Sequence, residues 1–393
     1  MMKETMMSKM RKIIKEKKVL VACLLLGSAL IFATLGWRFE TKASGTWAID
    51  CKIEGLDFCY IGTQVEDTRY LAETGMETSH LYTSHDSCIW SELEISVFDE
   101  TVDKWRNDIA LFKTLDNNLG MVWVDTEPSA EKKPRAAYFL SMFDGQDWSG
   151  PVFLFYRENY CVDLVDAMPF DNGDLLLLWE EPVYLEIDGK KAKGTGCNMI
   201  YSALVTAKEI TTAQVFETDS PSFCYTKGFH LIKEGGRIWC VFDHWTPKSE
   251  AYYRVWTENG KTWSQPEEIS LPTSEVDQIF KTAEGDIAVF DYQVDGNNGF
   301  LYKSKDWKTW LKTKIFYSKE MIRGAYLNID ENGNEWGLLQ TEKGLVLITP
   351  SEENADTYEK VMKRADILYG ASLAIGIFSI ALLAWGIWNS FRS

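Results

Sequence analysis

The stretch Trp256-Thr257-Glu258-Asn259-Gly260-Lys261-Thr262-Trp263 decides the fold, because versions of it recur along the chain. It follows an alternating run, Ala251 to Val255, which is typical of a strand. Its glycine suits a tight turn and its last tryptophan closes that turn. Related stretches cover residues 84–91, 141–151 and 304–310. A repeat of this kind determines the architecture of the whole chain.

A second repeat is a hairpin: an apolar strand, a turn rich in acidic residues, Asn and Gly, then a very apolar strand. Five copies cover residues 109–124, 167–179, 229–242, 278–290 and 325–339. A third and a fourth strand follow most copies, so each unit is four antiparallel strands over roughly fifty residues, the size of a propeller blade. The turn closed by Trp90 indicates one earlier blade between Gly45 and Phe98. We therefore predict an all-β fold, a six-bladed β-propeller, with five or seven blades as the alternatives.

Composition excludes several classes of function. The chain has 393 residues, with 58 acidic against 41 basic side chains and a net charge of −17. Such a surface repels phosphate backbones, so we expect no nucleic-acid partner. There are 4 histidines and no clustered His/Cys pattern. We expect no metal site and no cofactor.

Both ends of the chain carry apolar runs. Residues 1–18 are basic and residues 19–37 are uncharged, which favours a cytoplasmic tail followed by transmembrane helix 1 over a cleaved signal peptide. Residues 366–389 predict transmembrane helix 2, and 390–393 a second cytoplasmic tail. The propeller, residues 38–365, is then outside a cell membrane crossed twice. Gly370, Ser372, Ala374 and Gly376 suggest close packing of helix 2 against helix 1 or a membrane-protein partner.

Seven of the 8 cysteines fall in the segment predicted to be outside, where disulfides persist. Cys51 with Cys59 and Cys161 with Cys197 are plausible pairs. Free, buried cysteines in strands are the alternative for Cys224 and Cys240. An odd number of exported cysteines leaves at least one thiol without an intramolecular partner.

The tryptophan-closed turn resembles the Asp-box, Ser-x-Asp-x-Gly-x-Thr-Trp, of the sialidase superfamily and its bacterial neuraminidase repeats. Gly260, Thr262 and Trp263 match the box, whereas Glu258 replaces its aspartate and Trp256 its serine. The resemblance covers about residues 46–350 and implies a six-bladed propeller with this turn at its periphery. It also implies three substrate-binding arginines, but the Arg-Ile-Pro segment that usually carries the first is absent from the sequence.

Candidate site residues come from the segments that lead into the predicted inner strands. Carboxylates flanking a sugar can act as general acid and base, so Asp166 and Asp277 are the catalytic candidates, with Tyr225 as a third. Solvated loop acids are the simpler interpretation of both aspartates. The ligand-binding candidates are Arg323, Lys227, Tyr225 and Asp108.

Three functions follow from these expectations. The favoured one is a membrane-anchored, non-catalytic binding module that presents its central face to a glycan, an envelope component or another protein. The second is a glycoside hydrolase of the sialidase superfamily with a departed active site. The third is a structural subunit of a membrane complex, which would contact its partner through helix 366–389.

Overall fold

The structure is a computed structural model of the 393-residue chain. It describes residues 21–38, 45–53, 56, 61–74, 79–85, 89–98, 106–127, 135–157, 163–187, 190–215, 228–246, 249–273, 276–292, 297–329, 333 and 335–391. Two compact units are present. One is a propeller of six four-stranded antiparallel sheets, and the other contains two long helices.

The strands are assigned to six blades, each numbered in chain order. Blade 1 contains β2 (Ile61–Val65), β3 (Thr68–Thr74), β4 (Ser79–Ser84) and β5 (Ser91–Leu93). Blade 2 contains β6 (Arg106–Lys113), β7 (Leu119–Glu127), β8 (Arg135–Phe143) and β9 (Val152–Arg157). Blade 3 contains β10 (Asp163–Pro169), β11 (Leu175–Ile187), β12 (Lys190–Val205) and β13 (Ile210–Gln214).

Blade 4 contains β14 (Phe229–Glu234), β15 (Arg237–Thr246), β16 (Ser249–Thr257) and β17 (Glu267–Ile269). Blade 5 contains β18 (Gln278–Lys281), β19 (Ile287–Tyr292), β20 (Asn298–Ser304) and β21 (Leu311–Tyr317). Blade 6 contains β22 (Ile322–Ile329), β23 (Glu335–Thr341), β24 (Gly344–Pro350) and β1 (Trp47–Ile53). The predicted six blades are therefore confirmed.

The first strands of the blades, β2, β6, β10, β14, β18 and β22, contact one another in a closed ring around the axis. β1 is the outermost strand of blade 6, beside β24, so the two ends of the propeller chain share one sheet. The predicted blade between Gly45 and Phe98 is blade 1, and the sequence did not show that β1, at the start of this range, belongs to blade 6. A lone strand cannot pair all its backbone groups, and blade 6 supplies only three strands of its own.

The repeating hairpins form because their second strands are apolar on both faces and lie between two blades. Trp123, Trp179 and Trp336 are fully buried on β7, β11 and β23. The turn before β11 has Gly173 at φ 87° and the turn before β19 has Gly285 at φ 84°. Few other residues tolerate this conformation, which explains the glycines in the repeated pattern.

In each of the three described tryptophan-closed turns, one side-chain oxygen accepts two backbone N–H groups. Asp306 Oδ1 accepts the backbone N–H groups of Lys308 (2.9 Å) and Thr309 (2.8 Å). Asn259 Oδ1 accepts those of Lys261 (2.9 Å) and Thr262 (3.0 Å). In blade 2, Asp144 Oδ1 accepts those of Gln146 and Asp147, both at 2.9 Å.

Each of these acceptors lies four positions before its tryptophan, one later than the Asp-box alignment expects. Glu258, which that alignment places at the aspartate position, is exposed and pairs with Arg237 at 2.8 Å. The closing tryptophans contact the preceding blade, because Trp263 Nε1 donates to Ser202 Oγ at 3.0 Å and Trp148 Nε1 to the Glu94 carbonyl at 3.1 Å. The turns thus fasten adjacent blades at the periphery.

In the second unit, α1 is Val21–Arg38 and α2 is Glu352–Phe391. Both are long and apolar enough to cross a membrane, α2 through its part Glu352–Leu382. Buried small residues recur every seven positions on α1, at Ala22, Ala29 and Gly36, and two lie fourteen positions apart on α2, Ala365 and Ser379. Small residues let helix backbones approach closely.

The two helices pack against each other and run in opposite directions. Ser372 Oγ donates to the Ala29 carbonyl at 2.8 Å, and Gly36 lies against the ring of Tyr369. Of the small residues singled out in the sequence, only Ser372 makes such a contact. A side chain at Gly370 or Gly376 would meet nothing within 4 Å.

Two cysteines of the propeller are defined. Cys51 is disulfide-bonded, and its expected partner Cys59 lies outside the described residues. Cys240 is a free thiol buried on β15, which confirms the alternative prediction of a free, buried cysteine at this position. The structure does not describe the side chains of Cys161, Cys197 and Cys224, so the predicted pair of Cys161 with Cys197 stays a prediction.

Candidate functional site

The two ends of the propeller differ. At one end, called the hairpin end, the first strand of each blade turns into the second. At the other, called the acidic end, four second strands finish their apolar run in a buried carboxylate: Asp125, Glu180, Asp243 and Asp291. The inner strands begin at this acidic end. The carboxylates of these four blades concentrate acidic groups at this end of the propeller.

In blades 3 to 6 the inner strands also share an axial position, with one polar residue per blade. Asp166 on β10, His230 on β14, Gln278 on β18 and Tyr326 on β22 lie opposite Leu178, Val241, Phe290 and Leu338 of their second strands. Their neighbours along the strand, such as Ala167 and Leu231, are buried apolar residues. In these four blades the axial residue is therefore polar and its neighbours along the strand are apolar.

Asp166 joins blade 3 to blade 4. Its carboxylate accepts hydrogen bonds from the backbone N–H groups of Ala167 (2.8 Å) and Leu231. Burial raises its pKa to about 6, and these two hydrogen bonds only partly offset that effect. A carboxyl group with such a pKa suits acid–base chemistry, but here both donors are groups of the fold itself.

Gln278 and Tyr326 join the next blades in the same way. The Gln278 side chain donates to the Leu327 carbonyl (3.1 Å) and accepts from the Leu327 N–H (2.7 Å). Tyr326 donates its hydroxyl proton to the Gly62 carbonyl at 2.5 Å. Burial, with a contribution from the Asp166 charge, raises the pKa of Tyr326 well above its usual value. Since blades 3 and 6 are opposite in the ring, that influence acts across the axis.

His230 differs from the other three axial residues. Burial lowers its pKa to about 4, so the imidazole is neutral at physiological pH. The described residues offer it no hydrogen bond and no ion pair. Neutral imidazole has a donor and an acceptor, which leaves both available at the axis.

One arginine at the acidic end, Arg157, is neutralised by a glutamate. Arg157 binds Glu181 through two hydrogen bonds, Nε to Oε1 at 2.5 Å and Nη2 to Oε2 at 3.0 Å. Trp179 Nε1 donates to the same carboxylate at 2.6 Å, and the guanidinium lies 4.8 Å from the Tyr201 ring centre. This Arg157–Glu181 pair links blades 2 and 3. A guanidinium engaged in this way is not available to clamp a substrate carboxylate.

The described residues among those predicted to form a site lie on different blades. Asp277 lies just before β18, where its Oδ2 accepts the Tyr292 N–H at 2.9 Å. It is on blade 5, and Asp166 is on blade 3. Arg323 is on β22, with 60% of its side chain exposed, 3.5 Å from Glu342. Asp108 is on β6 beside a β-bulge, and its side chain is not described. Tyr225 and Lys227 lie outside the described residues.

Sequence reasoning selected Asp166 but not the rest of the axial position. The available signal is a polar residue between apolar neighbours in the first strand of a hairpin, as in Phe229-His230-Leu231. The buried carboxylates had a clearer signal, because Asp125, Asp243 and Asp291 each come directly after the apolar run of a second strand. Within the described part of the chain, no three His, Cys, Asp or Glu side chains lie together as metal ligands.

No protein-family model and no curated protein matches the sequence. Among solved structures, a protein of unknown function from Dyadobacter fermentans has a TM-score of 0.50 at 10% identity, covering 79% of this chain and 96% of that one. The GH93 α-L-arabinofuranosidase of Fusarium graminearum has 0.49 at 10% identity, covering 79% and 98%. An endo-arabinase from Bacteroides thetaiotaomicron has 0.36 at 10%, covering 69% and 99%. The first similarity supports the propeller fold alone, and we draw no functional conclusion from the other two.

Proposed function

We propose that this protein is a membrane-anchored propeller that binds a ligand at its acidic end without catalysing a reaction. One observation carries the proposal: three of the four axial side chains, those of Asp166, Gln278 and Tyr326, are engaged in hydrogen bonds to the backbone of the next blade. A general acid or base must instead reach a substrate atom.

The ligand is uncharged or cationic, and a neutral glycan fits best. The four buried carboxylates at this end repel anions. Arg157 is paired with Glu181, and Arg323 lies near Glu342. An anionic sugar such as sialic acid would therefore meet negative charge, and the guanidinium groups of Arg157 and Arg323 already face glutamates.

Glycan binding by the full-length protein in detergent tests this proposal. Neutral oligosaccharides should bind more tightly than oligosaccharides of the same length that end in a sugar acid, and more salt should narrow the difference by screening charge. Tighter binding of the acidic sugars would contradict the proposal. Binding of neither class, with retention of a basic protein partner, would replace the glycan by a protein ligand.

The second candidate is a hydrolase related to the sialidases. The tryptophan-closed turns, in phase with the blades, favour this relationship, although their acceptors are shifted by one position. A screen of sialyl and other aryl glycosides separates the two candidates. Turnover that disappears in Asp166→Asn or Asp277→Asn would establish the hydrolase, whereas no turnover alongside glycan binding supports the binding module.

We also propose that α1 and α2 cross the membrane, with both chain ends in the cytoplasm and the propeller outside. The basic residues before α1 and the disulfide at Cys51 support this orientation. A reporter that folds only in the cytoplasm should be active when fused to the C-terminus. Protease added outside intact cells should reach the propeller. An inactive C-terminal reporter together with a protected propeller would reverse the orientation.

Retention of α1 follows from the same proposal. The contacts of Ser372 with Ala29 and of Tyr369 with Gly36 give α1 a partner within the chain. The mature protein should therefore keep its N-terminal residues, which N-terminal sequencing of the purified protein checks. A partner for α2 in a membrane complex remains a further prediction, tested by co-purification in mild detergent.

A further inference from the structure

At three boundaries between neighbouring blades, an axial side chain bridges to the backbone of the next inner strand. Asp166 accepts the Leu231 N–H between blades 3 and 4, and Gln278 bonds both backbone groups of Leu327 between blades 5 and 6. Tyr326 makes a third bridge, from blade 6 to blade 1. In the first two bridges, the residue that is reached directly follows the axial residue of the next blade.

The boundary between blades 4 and 5 lacks such a bridge. By the same rule, His230 would bond the backbone of Ile279. Ile279 follows the axial Gln278 as Leu231 follows His230, and it pairs with its second strand in the same register, so its backbone presents the equivalent edge to blade 4. His230 makes no hydrogen bond to Ile279 or to any other residue that the structure describes. A polar side chain and a peptide edge therefore meet here without the bridge found at the other boundaries.

The imidazole of His230 faces accessible space at the axis. His230 keeps part of its surface exposed, as do Asp166 and Gln278 on the blades to either side, whereas Phe229 and Leu231 next to it are buried. His230 is also the second residue of β14, and the inner strands begin at the acidic end. The space beside the imidazole is therefore close to the end of the propeller at which we place the ligand.

The chemistry of this position selects a hydroxyl group. Burial lowers the pKa of His230 to about 4, so at neutral pH the imidazole has one N–H donor and one nitrogen acceptor. A hydroxyl group both donates and accepts, and it can bond the imidazole and a peptide edge at once. A carboxylate only accepts, and it would be repelled by Asp166 wherever that group is ionised. An ammonium group only donates.

We propose that His230 selects the ligand of the acidic end by hydrogen-bonding a sugar hydroxyl, which takes the place of the missing bridge between blades 4 and 5. The inference rests on the proposed binding of a neutral glycan and adds the side chain that contacts it. A water molecule is the competing occupant, because water also donates and accepts. The sugar and the water are distinguished by whether His230 affects sugar binding.

Sugar binding by the full-length protein in detergent tests the proposal, with maltotriose, cellotriose, xylotriose and mannotriose as probes. His230→Phe keeps an aromatic ring without its nitrogens and should weaken the tightest-binding probe about tenfold or more, as titration calorimetry would show. His230→Gln restores a donor and an acceptor and should stay within about threefold of the wild type. The matched control, His80→Phe on an exposed histidine of blade 1, should bind as the wild type does.

Two further measurements separate contact with the sugar from a change in the fold. Monodeoxy derivatives of the best probe identify the hydroxyl group: one derivative should bind the wild type about tenfold more weakly than the parent sugar, and His230→Phe should not distinguish the two. The chain has 4 histidines. Saturating sugar should shift the ring ¹⁵N signals of His230, which are assigned by their loss in His230→Gln.

The outcomes distinguish this inference from glycan binding itself. Sugar binding that His230→Phe leaves unchanged, or that shifts no His230 signal, would overturn the inference and leave glycan binding at the acidic end intact. Equal weakening in His230→Phe and His230→Gln would show that only the shape of the residue matters, which also overturns it. If none of the probes binds the wild type, glycan binding and the role of His230 fail together.

Discussion

Asp306 and Asp166 are the same residue type, and both accept two backbone N–H groups, yet their surroundings differ. Asp306 is in the peripheral turn of blade 5, and its hydrogen bonds lower its pKa to about 2. Asp166 is at the axis, and burial raises its pKa to about 6. The donors to Asp306 are two and three residues away, whereas one donor to Asp166, Leu231, belongs to another blade.

The difference shows what each region contributes. A local cap in water gains stability from its charge, because the ionised carboxylate is the better acceptor and remains hydrated. A buried bridge needs the acceptor but is destabilised by the charge. The periphery therefore stabilises individual turns, and the axis ties the blades together at the cost of burying an ionisable group.

The largest effect should come from breaking an axial bridge that has no charge. Gln278→Leu leaves the buried N–H and carbonyl of Leu327 without partners, which should lower the free energy of unfolding by roughly 4 kcal/mol, about 2 for each group. Denaturant unfolding of the full-length protein in detergent, followed by tryptophan fluorescence, measures this. Gln265→Leu, on an exposed residue, should stay within about 0.5 kcal/mol of the wild type. Similar effects for both would show that the axial bridge adds no stability.

Removing the charge at each aspartate sharpens the comparison, because the two changes should have opposite signs. The pKa of Asp166 is raised from 3.8 to about 6, so above pH 6 its ionised form destabilises the fold by about 3 kcal/mol, and this penalty vanishes below about pH 4. Asp166→Asn keeps an acceptor for Leu231 and should stabilise the protein by up to that amount at pH 8, with no gain near pH 4.

Asp306→Asn is the matched change at the periphery. The pKa of Asp306 is lowered to about 2, so its stabilising effect is present above pH 4 and is lost as the pH falls towards 2. This substitution should destabilise the protein at neutral pH and have no effect in strong acid. Loss of stability in both variants at pH 8 would mean that the Asp166 charge is itself a favourable part of the axis.

His230 should give the free energy of unfolding a second dependence on pH, opposite in sign to that caused by Asp166. Burial lowers its pKa from 6.5 to about 4, so unfolding takes up a proton in this range and stability should fall by about 2–3 kcal/mol between pH 6.5 and pH 4. His230→Gln should remove that dependence, as unfolding at several pH values would show. Gln265→Leu, an exposed change that removes no titratable group, should keep the slope of the wild type.

The smallest effect should come from a single peripheral cap. Asn259→Ala removes the acceptor for the N–H groups of Lys261 and Thr262 in an exposed turn. It should lower the free energy of unfolding by about 1 kcal/mol. Asn259→Asp retains the acceptor and should lose much less, which thermal unfolding of the two variants can distinguish. Equal loss in both would indicate that Asn259 matters through its amide N–H₂ group, which donates to Thr262 Oγ1 at 3.2 Å.

Much of the fold followed from the sequence because the repeat is local. The glycine at 173 or 285 and the apolar run after it lie within a few residues of each other, so the hairpin and its blade are visible without long-range information. The pairing of β1 with β24 that completes blade 6 could not be predicted in this way, because the two strands are nearly three hundred residues apart in the chain. The partner of a lone edge strand is decided by ring geometry, which no window of sequence contains.

The candidate site followed only in part. Asp166 was visible as an acid in an inner strand, but its bond to Leu231 depends on how blade 3 meets blade 4. Arg323 has a position in the repeat that suggested the centre, and a β-bulge between Ile322 and Gly324 accompanies its exposed side chain beside Glu342. Sequence position thus indicated the strand and not the direction of the side chain.

The sequence by itself determined the six hairpin-based blades, the acidic character of the chain and the two apolar helices, since composition and short-range periodicity suffice for each. Only the tertiary structure decided that Asp166, Gln278 and Tyr326 bridge blades and that Glu181 neutralises Arg157. The physical reason is that hydrogen bonds and ion pairs depend on distances of about 3 Å between groups far apart in the chain. Those distances exist only once the ring has closed.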